Sequence, residues 1–195
     1  ANPSYYFQQF GLDKGLSQTT VHCILADNKG LIWIGTASGL NCFDRYDMKS
    51  YYHEKDNPNS LPGNTIYFIA EDSVNNIWIS TNNGLTLYDK SSDSFRPLLF
   101  EGKPILSNSF YPLSGSILFT TNDGLFSYDY KKKTFSKRQI LSKDSSNFSP
   151  HYIKRWDKEE LLLISISKGV LRYNPVSGQI SDTNYPVQKN LNASR

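Results

Sequence analysis

Three observations in this 195-residue sequence predict an all-β fold of four-stranded antiparallel units. A segment of 40 to 45 residues recurs along the chain, aromatic side chains make up 14% of it, and each copy alternates short apolar runs with turns rich in Gly, Asn and Asp. The 13 Tyr, 11 Phe and 3 Trp, against a single Met, favour strands because such side chains suit a pleated, half-buried surface. Charged residues at 20% and hydrophobic ones at 38%, with no low-complexity run, exclude whole-chain disorder. Apolar stretches such as Leu161 to Ile164 fall far short of the roughly 20 residues that a membrane-spanning helix needs.

The repeat is clearest where Asp27-Asn28-Lys29-Gly30-Leu31-Ile32-Trp33-Ile34-Gly35-Thr36 returns, 45 residues on, as Asp72-Ser73-Val74-Asn75-Asn76-Ile77-Trp78-Ile79-Ser80-Thr81. The same shift carries Gly39-Leu40 onto Gly84-Leu85 and Phe43-Asp44 onto Tyr88-Asp89. A third copy, 40 residues later, holds Thr121-Asn122-Asp123-Gly124-Leu125 and Tyr128-Asp129; a fourth, 45 beyond, holds Ser167-Lys168-Gly169-Val170 and Tyr173-Asn174, with Asp157 in the place of Asp72. The Trp position becomes Leu118 and then Leu163, and Pro112 stands where the turn Asp is expected. The approximate units are 16–60, 61–105, 106–145 and 146–190, with 191–195 expected to begin a further, truncated one.

Each unit reads as four strands. An apolar run (Val21 to Leu25, Ile66 to Ala70) leads through an Asp-bearing turn into a second strand containing the Trp position. A turn ending in Gly leads to a third strand ending Tyr-Asp or its equivalent, and a turn rich in Lys, Ser and Asp leads to a fourth. Gly39, Gly84, Gly124 and Gly169 are placed where a hairpin turn needs positive φ, and Asp27 and Asp72 where a carboxylate can bond the backbone of its own turn. The Asp series is assigned to turns rather than to metal ligation, since each stands without a second acidic partner. Gly30, Thr36 and Thr81 complete the structural signature. Four-stranded units of this length with an aromatic signature are the blades of a β-propeller, here about four of them forming part of a larger one. Trp33 and Trp78 are assigned to packing between blades rather than to ligand stacking.

Gly15-Leu16-Ser17-x-x-x-Val21-x-x-Ile24-x-x-Asp27-x-x-Gly30-x-x-Trp33-Ile34-Gly35-Thr36-x-x-Gly39-Leu40, with Tyr6-Phe7 ahead of it, resembles the two-component-regulator propeller repeat. The resemblance covers about residues 5 to 95 in its strong form. It implies the periplasmic sensor region of a hybrid two-component system of Bacteroidetes, in which one membrane-anchored chain joins a sensor, a histidine kinase and a response regulator. It also implies oligosaccharide ligands, control of polysaccharide-utilisation genes and no direct contact of this fragment with nucleic acid. The chain opens on Ala1 with no charged segment preceding an apolar one, so any secretory signal is expected to have been removed already. A partial propeller is expected to expose apolar faces and to self-associate as a homodimer.

Candidate ligand-binding residues lie where the turns between second and third strands and the blade-to-blade connections share one face: His53, Lys55, Asn82, Asn83, Asn122, Asp123 and Lys168. Ala37-Ser38 belongs to the same series of turns, and the long connections run around 53–64 and 142–150. Asn, Asp and Lys suit the hydroxyls and acidic groups of a sugar. Nothing points to catalysis: His22, His53 and His151 lack the spacing of a metal pair, and no P-loop, dinucleotide or zinc motif occurs, so no cofactor is expected. A carbohydrate-active enzyme and a protein-binding scaffold remain the competing uses of a propeller. The basic residues Lys131 to Lys133, Lys137 and Arg138 read as a solvated turn and edge strand. Cys23 and Cys42, on first and third strands of one unit, stand roughly 9 to 10 Å apart by strand spacing, too far for a bridge, so two free, largely buried thiols are expected.

Overall fold

A computed structural model of the chain describes residues 9–141, 149–166 and 169–183. It comprises two compact units, residues up to 106 and residues from 107 onward.

The first unit opens with a short 3-10 turn, Leu12–Lys14, followed by β1 (Val21–Ala26), β2 (Ile32–Thr36), β3 (Gly39–Phe43) and β4 (Met48–Tyr51). Its second sheet is β5 (Ile66–Glu71), β6 (Ile77–Thr81), β7 (Gly84–Asp89) and β8 (Ser94–Pro97), followed by the two-residue strands β9 (Leu99–Phe100) and β10 (Lys103–Pro104). The second unit holds β11 (Phe110–Leu113), β12 (Ser116–Thr121), β13 (Gly124–Asp129) and β14 (Thr134–Lys137), then β15 (Tyr152–Arg155), β16 (Leu161–Ser165), β17 (Gly169–Tyr173) and β18 (Ile180–Asp182). In each four-stranded sheet the spatial order follows the chain and every pairing is antiparallel. These are four up-and-down propeller blades.

Two local devices fix the hairpins. Asp27 Oδ1 accepts the backbone N–H groups of Lys29 and Leu31, and Asp72 Oδ1 those of Val74 and Asn76, which closes the turn between first and second strands. The other carboxylate oxygen takes the indole N–H of Trp33 at 3.1 Å or of Trp78 at 2.7 Å. At the opposite end the Thr hydroxyl staples a two-residue turn: Thr36, Thr81 and Thr121 each donate to the carbonyl of Gly39, Gly84 or Gly124 and accept the N–H of the residue before that Gly. Gly39, Gly84 and Gly124 adopt φ of +121°, +137° and +122°, which disfavours any side chain.

Within the first unit the blades pack face to face. Trp33, Leu40 and Cys42 of one share a core cluster with Ile66, Ile69, Ile77, Ile79 and Phe95 of the next. Trp33 meets Tyr88 edge-on at 4.8 Å, so its assignment to packing between blades holds. Trp78 is fully buried too. The second unit repeats this with mainly aliphatic residues: Leu118 clusters with Ile153, Leu161, Leu163 and Tyr173.

The structure departs from the sequence reading in four places. Pro112 is not at a turn; it lies inside β11 opposite Ile117, and a two-residue turn with Gly115 at φ +82° replaces the longer Asp-bearing one. Proline is tolerated there because β11 pairs on one side only. In the last blade Ser165 pairs with Gly169 and Leu163 faces Leu171, one residue off the register in which Leu118 faces Ser127 in the third. The aromatics are not all between blades, since Phe119 and Phe126, like Tyr128 and Phe135, are cross-strand partners within one sheet. The β9–β10 hairpin was not anticipated; Glu101 and Gly102 at its turn both have positive φ, as a two-residue turn of this hand requires. Lys168 and the expected blade start at 191–195 lie outside the described residues.

Candidate ligand-binding face

In the first unit the second-to-third-strand turns and the connection between blades meet at one end. Asn64 carbonyl accepts the N–H of Gly39 at 2.7 Å, and the Thr65 hydroxyl donates to the Ala37 carbonyl at 3.1 Å. Thr65 and Asn82 then bond reciprocally, the Asn82 N–H to the Thr65 carbonyl and the Thr65 N–H to Asn82 Oδ1. The start of β5 is thereby tied to the turns at 37–38 and 82–83.

The connection 52–65 folds on itself. His53 donates its backbone N–H to Asn64 Oδ1 and its Nδ1–H to the Leu61 carbonyl at 2.7 Å, while Ser60 Oγ accepts the Glu54 N–H at 2.9 Å. Leu61 is fully buried in the inter-blade core, and the Asn59 carbonyl takes the N–H of Phe95 at 2.7 Å, covering part of the β8 edge. Over this segment lies a cavity of about 300 Å³, lined among others by His53, Lys55, Asp56, Leu61, Pro62 and Pro97.

The structure brings His53 and Lys55 to that cavity. The Asn82 side chain is used on Thr65 instead, and Gly63 is held so close that an added Cβ would sit 2.3 Å from Asn82 Oδ1. Asn83 presents an exposed side chain above its stapled backbone. Asn122 and Asp123 occupy the corresponding turn of the second unit, exposed, with the Asn122 carbonyl accepting Ser149 Oγ–H at 2.8 Å.

Sequence reasoning missed a cluster at the other end of the first unit. The hydroxyls of Tyr51 and Tyr88 both donate to Asp93 Oδ1 at 2.7 Å, and Lys49 pairs with the second oxygen. Partial burial opposes the Asp93 charge, yet the bonds from Lys49, Tyr88 and Tyr51 hold its carboxyl down to about 2. Burial, with Asp93 adding to it, pushes Tyr88 up to about 12 and Tyr51 higher. Alongside, Lys90 of the second blade approaches Asp27 of the first at 3.7 Å. Burial opposes the Asp27 charge as well, but the N–H groups of Trp33, Leu31 and Lys29, with Lys90, keep its carboxyl below the usual range. Cys23 and Cys42 are both free, and burial raises each thiol to about 11. Among the described residues no group of three or more His, Cys, Asp or Glu is placed to hold a metal ion, and no helix is long and apolar enough to cross a membrane.

Antiparallel four-stranded sheets repeated with an Asp–Trp lock at one end and a Thr–Gly staple at the other define a β-propeller repeat protein. Residues 15–38 and 60–83, the hairpin-bearing parts of the first two blades, match the family profile of the two component regulator propeller. Over 60 residues, 31% of this chain, the sequence is 37% identical to histidine kinase P4 of Formosa agariphila, of which that stretch is 4%. Two extracellular domains of hybrid two component systems of B. thetaiotaomicron share the fold. That of BT3049 superposes with a TM-score of 0.75 at 21% identity, over 92% of this chain and 26% of that one. That of BT4673 gives 0.71 at 21% identity, over 90% and 23%. The chain thus spans about a quarter of the length of these solved structures.

Proposed function

We propose that this chain is the ligand-sensing propeller portion of a membrane-anchored two-component sensor, exposed to the periplasm, that binds oligosaccharides from a complex glycan and governs genes for its use. The repeat match over the first two blades carries the reading. The histidine kinase relative and the extracellular sensor domains of the same fold support it. Ligand docks at the end where the turns at 37–38 and 82–83 meet the connection carrying His53 and Lys55, over a cavity of a size suited to one or two sugar rings. The fragment binds and does not cleave. Its signal is a difference in ligand affinity between two arrangements of the whole sensor, because equal affinity for both shifts nothing. Self-association belongs to the same reading. Ile24 on β1 is 66% exposed, an apolar side chain well suited to a second copy.

Isothermal titration of the chain with a panel of plant and algal oligosaccharides, followed by chromatography of the sugar, tests the proposal. Saturable binding with the oligosaccharide recovered intact is the expected result. Shortened products would replace it with a carbohydrate-active enzyme, and a stable protein partner without sugar binding would replace it with a scaffold.

A further inference from the structure

His22 and Tyr67 occupy the same place in consecutive repeats, 45 residues apart. Both are bulged. Along β1 the pairing passes from Val21–Thr36 to Cys23–Gly35, so two steps on β1 match one on β2 and His22 is the extra residue. Along β5 it passes from Ile66–Thr81 to Phe68–Ser80, which leaves Tyr67 extra in the same way. A β-bulge bends its strand and re-aims the added side chain, and here the same device is used twice, one residue from the end where the turns converge. The two rings lie nearly parallel, 18° between planes and 6.4 Å between centroids, and both side chains are exposed, Tyr67 by 46%. The first strands of the third and fourth blades pair without a bulge, from Phe110–Phe119 and Tyr152–Ile164 onward.

The hydrogen bonding fixes what the pair can offer. His22 Nδ1 lies 2.9 Å from the Ile66 carbonyl oxygen, which can only accept, so Nδ1 carries the proton and the neutral ring presents Nε2 as an acceptor. Among the described residues neither Nε2 nor the Tyr67 hydroxyl has a hydrogen-bond partner. The platform therefore combines an exposed aromatic face, a fixed acceptor and a phenol, with no lysine or arginine of its own. A pyranose ring matches this set: its axial C–H groups cover an aromatic face, and its equatorial hydroxyls donate to the acceptor.

We propose that the bulged pair His22 and Tyr67 is a stacking subsite for a neutral pyranose ring. The proposal rests on the oligosaccharide-sensing reading and adds to it a subsite on β1 and β5 that the loop residues do not provide.

Saturation-transfer NMR on the 195-residue chain tests it with methyl glucoside, methyl galactoside, methyl mannoside and methyl xyloside, and with cellohexaose, laminarihexaose and maltohexaose as longer probes. At least one probe is expected to receive saturation chiefly on the C–H protons of one ring face. Tyr67→Ala weakens that binding by about tenfold or more and Tyr67→Phe by no more than about threefold, while His22→Ala gives an intermediate loss. Near-UV circular dichroism of each variant confirms that these exposed substitutions leave the blades folded. Binding to the wild-type chain that Tyr67→Ala leaves unchanged overturns the subsite while the oligosaccharide reading stands. No probe engaging the wild-type chain overturns both.

Discussion

Trp78 gives its indole N–H to the carboxylate of Asp72 at 2.7 Å, joining two residues six apart across a closed turn, and Trp33 with Asp27 repeats the contact in the preceding blade at 3.1 Å. Asp72 also holds the backbone N–H groups of Val74 and Asn76 and the side-chain amide of Asn76. Removing it strands buried donors. Asp72→Ala is expected to cost about 2–4 kcal/mol in denaturant unfolding, whereas Trp78→Phe, which leaves the turn bonds in place, costs less than the loss of that carboxylate.

The Thr–Gly staple gives a second expectation. Gly84 has φ +137°, and a Cβ added there would meet Pro104 Cβ at 3.1 Å, so Gly84→Ala should lower stability by about 1–2 kcal/mol. Thr81→Val keeps the shape but deletes the donor to the Gly84 carbonyl and the acceptor for Asn83 N–H, for a loss of about 1–2 kcal/mol. Thr81→Ser, which keeps both bonds, should lie nearer the wild type, as thermal melts of the three variants can show.

Asp93 makes part of the stability depend on acidity. Its carboxyl is held down to about 2 in the folded chain, against roughly 3.9 for an unperturbed Asp, so its contribution is complete above the higher value and disappears as pH falls through the lower. The side chain is 44% exposed, so screening limits the effect to about 1 kcal/mol or less. Asp93→Asn should flatten the stability profile between about pH 4 and pH 2. On the alkaline side Tyr88, raised to about 12, and Tyr51, raised higher, resist ionisation that the unfolded chain permits near pH 10, so stability falls as pH rises above that value; Tyr88→Phe makes the slope shallower.

The thiols supply a third pH-linked measurement. Cys23 and Cys42, both raised to about 11 by burial, should react slowly with a thiolate-selective reagent at pH 8 in the native chain. Under denaturing, non-reducing conditions both should label, adding two reagent masses. No added mass would mean a bridge.

Self-association is checked by sedimentation velocity across a hundredfold range of protein concentration. A mean mass that rises with concentration is expected, and Ile24→Lys should hold it at the monomer value. A constant monomer mass for the wild-type chain would remove this part of the proposal.

What could be read in advance follows from which contacts the repeat carries. Gly39 and Gly84, Asp27 and Asp72, and Thr36 and Thr81 act inside single hairpins, so a spacing of a few residues was enough to place them. The cluster of Lys49, Tyr51, Tyr88 and Asp93 was not legible, because it joins residues up to 44 positions apart on different blades and obeys no repeat. The bulges at His22 and Tyr67 escaped for another reason: an apolar run shows that a strand is present, but one unpaired residue inside it leaves no mark in composition. Asn82 shows a further limit. A polar residue in a turn reads as available, and only the fold reveals that Thr65 already occupies its oxygen.

The connection from His53 to Asn64 is bonded to itself at both ends and anchored by the buried Leu61. Ordering a free loop on contact with a ligand would lose roughly 1 kcal/mol or more of conformational entropy per residue. Here that loss falls on folding instead of on binding. If this face takes a sugar as proposed, the ligand meets a rigid rim, so complex formation should be a single fast step whose rate grows linearly with ligand concentration, with no slow closing phase after it.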